Sequence, residues 1–225
     1  MEEAIKIEQM RTILLSVSET MIQEKTQLTK LDAECGDGDF GIGMFIGFSK
    51  AKKTIDDFEG EQIDLLLKKV GFSILSSVGG ASGPLFSTFF IAMAEKAKEK
   101  KMIDLESLTE MLENSLNKIC LRGGAKVGEK TLVDALEPAV RALKEASREK
   151  VTLKEALERA TQAAKEGVEH TKTLIAKQGK ARYLGDKTIG HRDAGAVAIY
   201  LMLKSFFDSY SQLLKENIPN KLENS

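Results

Sequence analysis

Three aspartates, Asp32, Asp37 and Asp39, fall within eight residues of one another in the segment DAECGDGDFGIG. Carboxylates that close repel one another unless a cation sits among them. Oxygen-only ligation, without imidazole or thiolate, suits a hard ion, magnesium before calcium. An EF-hand loop fails on spacing, because its twelfth position would be Gly43 counted from Asp32, or Phe48 counted from Asp37, where a glutamate is required. A di-iron bundle fails as well, since neither His170 nor His191 has a glutamate three residues before it. Aspartate beside glycine also serves turns and helix caps. On spacing alone, the cluster suits a cation and a turn equally.

Three further segments carry glycine together with groups that suit phosphate. Gly79-Gly80-Ala81-Ser82-Gly83-Pro84 offers backbone N–H groups, one hydroxyl, and a proline placed for the first turn of a helix. It is not a P-loop, because no Gly-Lys-Ser/Thr follows. RGGAKVGEK contributes Lys126 and Lys130, with Thr131 placed to cap a helix. QGKARYLGDKTIGHRDAG brings Lys180, Arg182, Lys187, His191, Arg192 and Asp193 close to Gly195. Taken singly, each lysine or arginine reads as a solvated surface charge, His191 as structural, and each glycine as a helix end.

Helices must position these groups, because apolar residues recur at helical spacing nearly everywhere. Leu153, Leu157, Ala160, Ala164, Val168 and Ile175 mark one face of such a helix, and Thr152 with Glu155 makes a capping box at its start. No run of alternating β-branched residues calls for strands. The turn signals divide the chain into about eight helices, over 3–30, 43–57, 62–78, 84–99, 105–120, 131–148, 152–177 and 194–216. The tail 217–225, NIPNKLENS, is expected to fray. The remaining connections, DFEGEQ, KEKKMID and REKV, are charged and mostly glycine-poor. If successive helices run up and down, as short connections favour, the four glycine-rich loops alternate with the plain ones. They then share one rim, where helix N-termini favour an anion.

Composition bounds the rest. The chain has 225 residues, 42% of them hydrophobic, with 33 basic residues against 34 acidic. This is enough for one sizeable core, and a single domain over 1–225 is the simplest organisation. The near-neutral balance argues against a nucleic-acid binder. No stretch approaches the roughly 18 uninterrupted apolar residues of a membrane span, and the acidic start MEEAIKIEQM lacks a signal core. Cys35 and Cys120 stand far apart and outside any CxxC spacing, as free thiols of a reducing cytoplasm do.

LDAECGDGDFGIG, SSVGGASGPLFSTFF, VGEKTLVDALEP and GKARYLGDKTIGHRDAGA together resemble the nucleotide-binding subunit of bacterial dihydroxyacetone kinase, in the right order and over essentially the whole chain. The resemblance implies an all-α barrel of about eight antiparallel helices with a nucleotide site at one rim. It implies a pair of magnesium ions on Asp32, Asp37 and Asp39. ADP or ATP would meet Phe40, Gly41, Ile42, Gly43, Ala81, Ser82, Gly123, Leu132, Lys180, Asp193, Ala194 and Gly195. It further implies a phosphotransferase cycle in which a phosphocarrier subunit of the phosphoenolpyruvate phosphotransferase system recharges bound ADP. The phosphoryl group then passes to dihydroxyacetone, or a related short ketose, on a separate substrate-binding kinase subunit. No nucleic acid or membrane enters this scheme, and a homodimer is left open. The chain differs from the family pattern in Phe40 (usually His, Thr or Cys), Gly43 (Asn or Thr), Lys180 (Arg) and Ala194 (Pro). Phe40 and Gly43 motivate an alternative reading, a nucleotide-loaded regulatory or interaction module that has lost turnover. A third reading is the nucleotide domain of a fatty-acid-kinase type of enzyme, whose further domains have no counterpart here.

Overall fold

Apolar periodicity gives nine α-helices among the described residues, 4–216 of the computed structural model. They are α1 (Ile7–Gln23), α2 (Lys25–Cys35), α3 (Phe40–Asp56), α4 (Ile63–Leu75), α5 (Ser82–Ala97), α6 (Leu105–Gly123), α7 (Val133–Glu149), α8 (Leu153–His170) and α9 (Ala194–Glu216). The expected fraying of 217–225 and the start of the first helix at residue 3 lie outside the described residues. The all-α class holds. The one addition is a pair of two-residue strands, β1 (Ile5–Lys6) and β2 (Met102–Ile103), paired antiparallel with Ile5 opposite Ile103.

The expected first helix is instead two. Glu24 alone separates α1 from α2, and the backbone hydrogen bonds from Glu24 to Thr20 and from Leu28 to Glu24 carry across the break. No glycine or proline marks this bend. Tertiary packing explains it, since α2 lies against the start of α3. A Cβ on Gly41 would strike the Lys25 carbonyl and the Thr29 backbone, so only glycine allows that approach. The expected helix 152–177 stops at His170. The buried Thr171 hydroxyl donates to the Val168 carbonyl at 2.6 Å, and the chain leaves through a 3-10 turn at Thr171–Thr173, so Ile175 is 40% exposed rather than part of a core stripe.

Successive helices pack on one another from α3 through α9, and α9 returns to pack on α1, which packs on α3. Every α-helix contributes buried apolar residues to one core cluster, in which Phe48, Phe89 and Phe90 meet edge to face. The α7–α8 contact has a local reason. Pro138, inside α7, has no N–H to give the Asp134 carbonyl. There α8 comes close enough that a Cβ on Gly167 would collide with that carbonyl. At the start of α8 the Thr152 hydroxyl accepts from the Glu155 N–H at 3.1 Å, but only this half of the expected capping box forms, because the Glu155 carboxylate pairs with Arg159 at 2.7 Å. Among the described residues no helix is long and apolar enough to cross a membrane.

Candidate functional site

The end of α2 and the turn after it bring the aspartates together. Asp32 stands in the last turn of α2, where its carbonyl accepts from the Gly36 N–H at 2.5 Å, and Gly38 (φ 75°) turns the chain so that Asp39 precedes α3. Each of the three aspartates offers a carboxylate oxygen within 4.8 Å of the others. Asp32 is half-buried, Asp37 and Asp39 exposed. Burial pushes the Asp32 carboxyl above its ordinary range, Asp37 and Asp39 push it the same way, and the Phe40 N–H (3.2 Å) opposes them. Three converging carboxylates with no imidazole or thiolate fit a hard divalent cation.

The four glycine-rich connections touch in a closed circuit. Lys180, in the loop before α9, pairs with Asp37 and reaches Asp39 at 3.6 Å, while His191 Nδ1 lies 3.0 Å from Glu34 Oε2. The ammonium of Lys180 holds the Asp37 carboxyl below its usual range. Gly43 sits beside Val78 of the second loop, with 3.1 Å between a Cβ added there and the valine side chain. Arg122 near the end of α6 donates to the Thr88 hydroxyl in α5 at 3.2 Å, and Gly123 lies against Leu85. The third loop meets the fourth where the Lys177 N–H donates to the Glu129 carbonyl at 3.1 Å and where Leu132 packs beside Gly195. The alternate loops therefore share one rim.

The expected nucleotide contacts all fall on this rim in sequence, but not all face outward. Phe40 is buried with its ring 5.8 Å from Phe86, so it offers the rim only its backbone. Gly41 is buried against α2 and Leu132 in the core, whereas Ile42, Ala81, Gly123 and Lys180 are exposed. Ser82 opens α5, and Ala194 and Gly195 open α9, where first-turn N–H groups have no helical acceptor. Asp193 keeps some surface as a residue, yet its carboxyl is enclosed beneath the loops and accepts from the Ala196 N–H at 2.7 Å. Burial pushes that carboxyl up to about 7; Asp134 and Asp32 push the same way, while Lys130 opposes. Gly79 is informative by contrast. Its backbone does not need glycine, and a Cβ there would meet nothing within 4 Å, so the packing leaves its surface open to an approaching group.

Sequence reading did not single out Glu34, Glu129, Asp134 or Thr171. Asp134 is buried and accepts from the Gly128 N–H (2.5 Å) and the Thr131 N–H (2.8 Å), which shapes the third loop. Its signal was present, because Thr131-Leu132-Val133-Asp134 is a Thr-x-x-Asp cap ahead of an apolar run. Glu129 and Thr171 have no comparable signal.

An all-helical molecule with converging carboxylates and bare helix N-termini on one rim has the features of a phosphate-handling protein. The chain belongs to the DAK2 domain family, whose description matches residues 34–208. Asp37 and Asp39 fall inside that match and Asp32 just before it. The chain is similar to the PEP-dependent dihydroxyacetone kinase, ADP-binding subunit DhaL, of Escherichia coli strain K12, at 39% identity over 80% of this chain and 86% of that one. It is also similar to the corresponding subunit of dihydroxyacetone kinase 1 from Listeria innocua, at 38% identity over 84% and 89%. Among solved structures it resembles the dihydroxyacetone kinase of C. freundii in complex with AMP-PNP and Mg2+, with TM-score 0.71 and 26% identity over 93% of this chain. It spans only 35% of that longer kinase. The resemblance read from the four motifs is thereby borne out.

Proposed function

We propose that this chain, as a single helical unit, is the nucleotide-holding subunit of a phosphotransferase that phosphorylates dihydroxyacetone or a related short ketose. Asp32, Asp37 and Asp39 would hold magnesium, and the rim would hold ADP or ATP. The acceptor would be bound on a partner kinase subunit, and a phosphocarrier protein would recharge the ADP. The observation that carries this reading is the convergence of three carboxylates with Lys180 on a rim of open helix N-termini. The names of its relatives support it, being ADP-binding subunits of PEP-dependent kinases.

Phosphoryl transfer needs positioning and charge neutralisation more than a protein nucleophile. Magnesium, when bound, would neutralise phosphate oxygens and orient them. The chain's own groups do the rest. The remaining first-turn N–H groups of α5 and α9 would receive phosphate oxygens; Pro84 has none to give, and the Ala196 N–H already donates to Asp193. Lys180, held beside Asp37 and Asp39, would offer its ammonium to the same oxygens, and the Phe40 N–H donates to the Asp32 carboxylate at 3.2 Å. Leu132, at the end of the third loop, is buried beside Gly195 and holds the start of α9 in place.

Calorimetry with Mg-ADP tests the reading. Wild type is expected to bind in magnesium and not in EDTA, and Asp37→Asn to bind at least about tenfold more weakly, since one ligand charge is lost. Equal binding in EDTA would refute it. The regulatory alternative draws on Phe40, whose ring is in the core, and on Gly43, which faces Val78; neither offers the ligand a polar side-chain atom. Product analysis with candidate partner subunits, phosphoenolpyruvate and ketoses separates the two, because only the enzyme yields phosphorylated ketose.

A further inference from the structure

Lys130 is the most unusual lysine in the molecule. Its residue is 4% exposed, and its backbone holds φ 60°, a left-handed conformation uncommon for non-glycine residues. Lysine is almost never buried without a partner, yet Lys130 makes no ion pair among the described residues. Its ammonium instead donates to two backbone carbonyls, Thr171 at 2.6 Å and His191 at 2.5 Å.

Those carbonyls stand at the two ends of the fourth loop. Thr171 caps the C-terminus of α8, where a cation also suits the helix dipole, and His191 lies two residues before Asp193. The same stem carries two further bonds. The Asp193 N–H donates to the Thr171 hydroxyl at 3.0 Å, and the Gly190 N–H donates to the Lys172 carbonyl at 2.7 Å. Beyond the stem the loop carries Lys180, which pairs with Asp37 and Asp39. Next to Lys130, the Glu129 carbonyl and carboxylate take the Lys177 N–H and the Gln178 amide. Two adjacent residues of the third loop thus grip the fourth at four points.

We propose that Lys130 is a positioning residue: its ammonium closes the base of the loop 171–193 and so sets Lys180 over the aspartates and Asp193 at the start of α9. Its consequence for ligand binding rests on the reading of the rim as a Mg-ADP site; its consequence for the loop does not.

Lys130→Met keeps length and apolar bulk and removes the donors. Amide hydrogen exchange without nucleotide is expected to speed up at least about tenfold across 172–192, as the loss of charged hydrogen bonds implies. Exchange in α4 and α5 should stay at the wild-type level. Affinity for Mg-ADP is expected to fall about tenfold. Thr171→Val, which removes the staple between Thr171 and Asp193, should loosen the same segment to a smaller degree, and it provides the test if Lys130→Met does not fold. Unchanged exchange in 172–192, or faster exchange spread evenly over all helices, overturns the proposal. So does a loosened loop that binds Mg-ADP as tightly as wild type. A wild-type chain that fails to bind Mg-ADP, beside a Lys130→Met loop that still loosens, would instead overturn the nucleotide reading and uphold the clamp.

Discussion

Removing the Asp193 carboxylate is expected to change how stability depends on pH. In the folded chain this carboxyl titrates at about 7, chiefly because it is buried, with Asp134 and Asp32 adding to the shift and Lys130 opposing it. In the unfolded chain an aspartate titrates at about 3.9. Between those values the native state holds a proton that the unfolded state has lost, so stability must fall as pH rises. The contribution is complete below about pH 4 and gone above about pH 7. Between about pH 5.5 and about pH 8 the linkage relation gives a loss of about 2 kcal/mol. For a chain of this length that corresponds to about 4 to 8 °C in melting temperature. Asp193→Asn keeps an oxygen for the Ala196 N–H and does not titrate. The Asp32 carboxyl, also raised by burial, is present in both chains, so only its coupling to Asp193 enters the comparison. Denaturant titrations of the two chains at both pH values, in EDTA and without nucleotide, give the difference directly. Wild type should lose about 2 kcal/mol more than the variant over that interval; parallel losses would show that the Asp193 carboxyl is solvated and ordinary, and would refute the account of its burial.

Two glycines should respond in opposite ways. Gly167→Ala drives a methyl into the Asp134 carbonyl and is expected to cost about 1–3 kcal/mol in thermal unfolding. Gly79→Ala has open space and should leave melting unchanged while weakening Mg-ADP in calorimetry, because only an approaching ligand would feel its Cβ. Thr152→Ala removes the cap on the Glu155 N–H and should cost about 1 kcal/mol while leaving Mg-ADP affinity untouched, since it lies at the end away from the rim.

The helices were legible because most of them bury a full apolar stripe. The start of the last helix at Ala194 was read to the residue, and 105–120 fell three short of its end at Gly123. The alternation of glycine-rich and plain connections was enough to place the loops on one rim. What was not legible depends on contacts between distant residues. The bend at Glu24 carries no local mark, because its cause is Gly41 closing on Lys25 and Thr29. Ile175 kept the helical spacing of α8 although Thr171 had already ended that helix. Lys130 reads as an ordinary surface lysine until the fold wraps Thr171 and His191 around it. Phe40 sits in a motif of rim residues, yet its ring belongs to the core through Phe86.

The segregation of the connections also bears on how the protein could be instrumented. The 57–62 stretch, DFEGEQ, joins α3 to α4 at the end remote from the aspartates, and most of it is exposed. A fluorophore or surface tether grafted onto its charged residues would leave the opposite rim free. Binding and release could then be followed on immobilised molecules with the mouth pointing into solution.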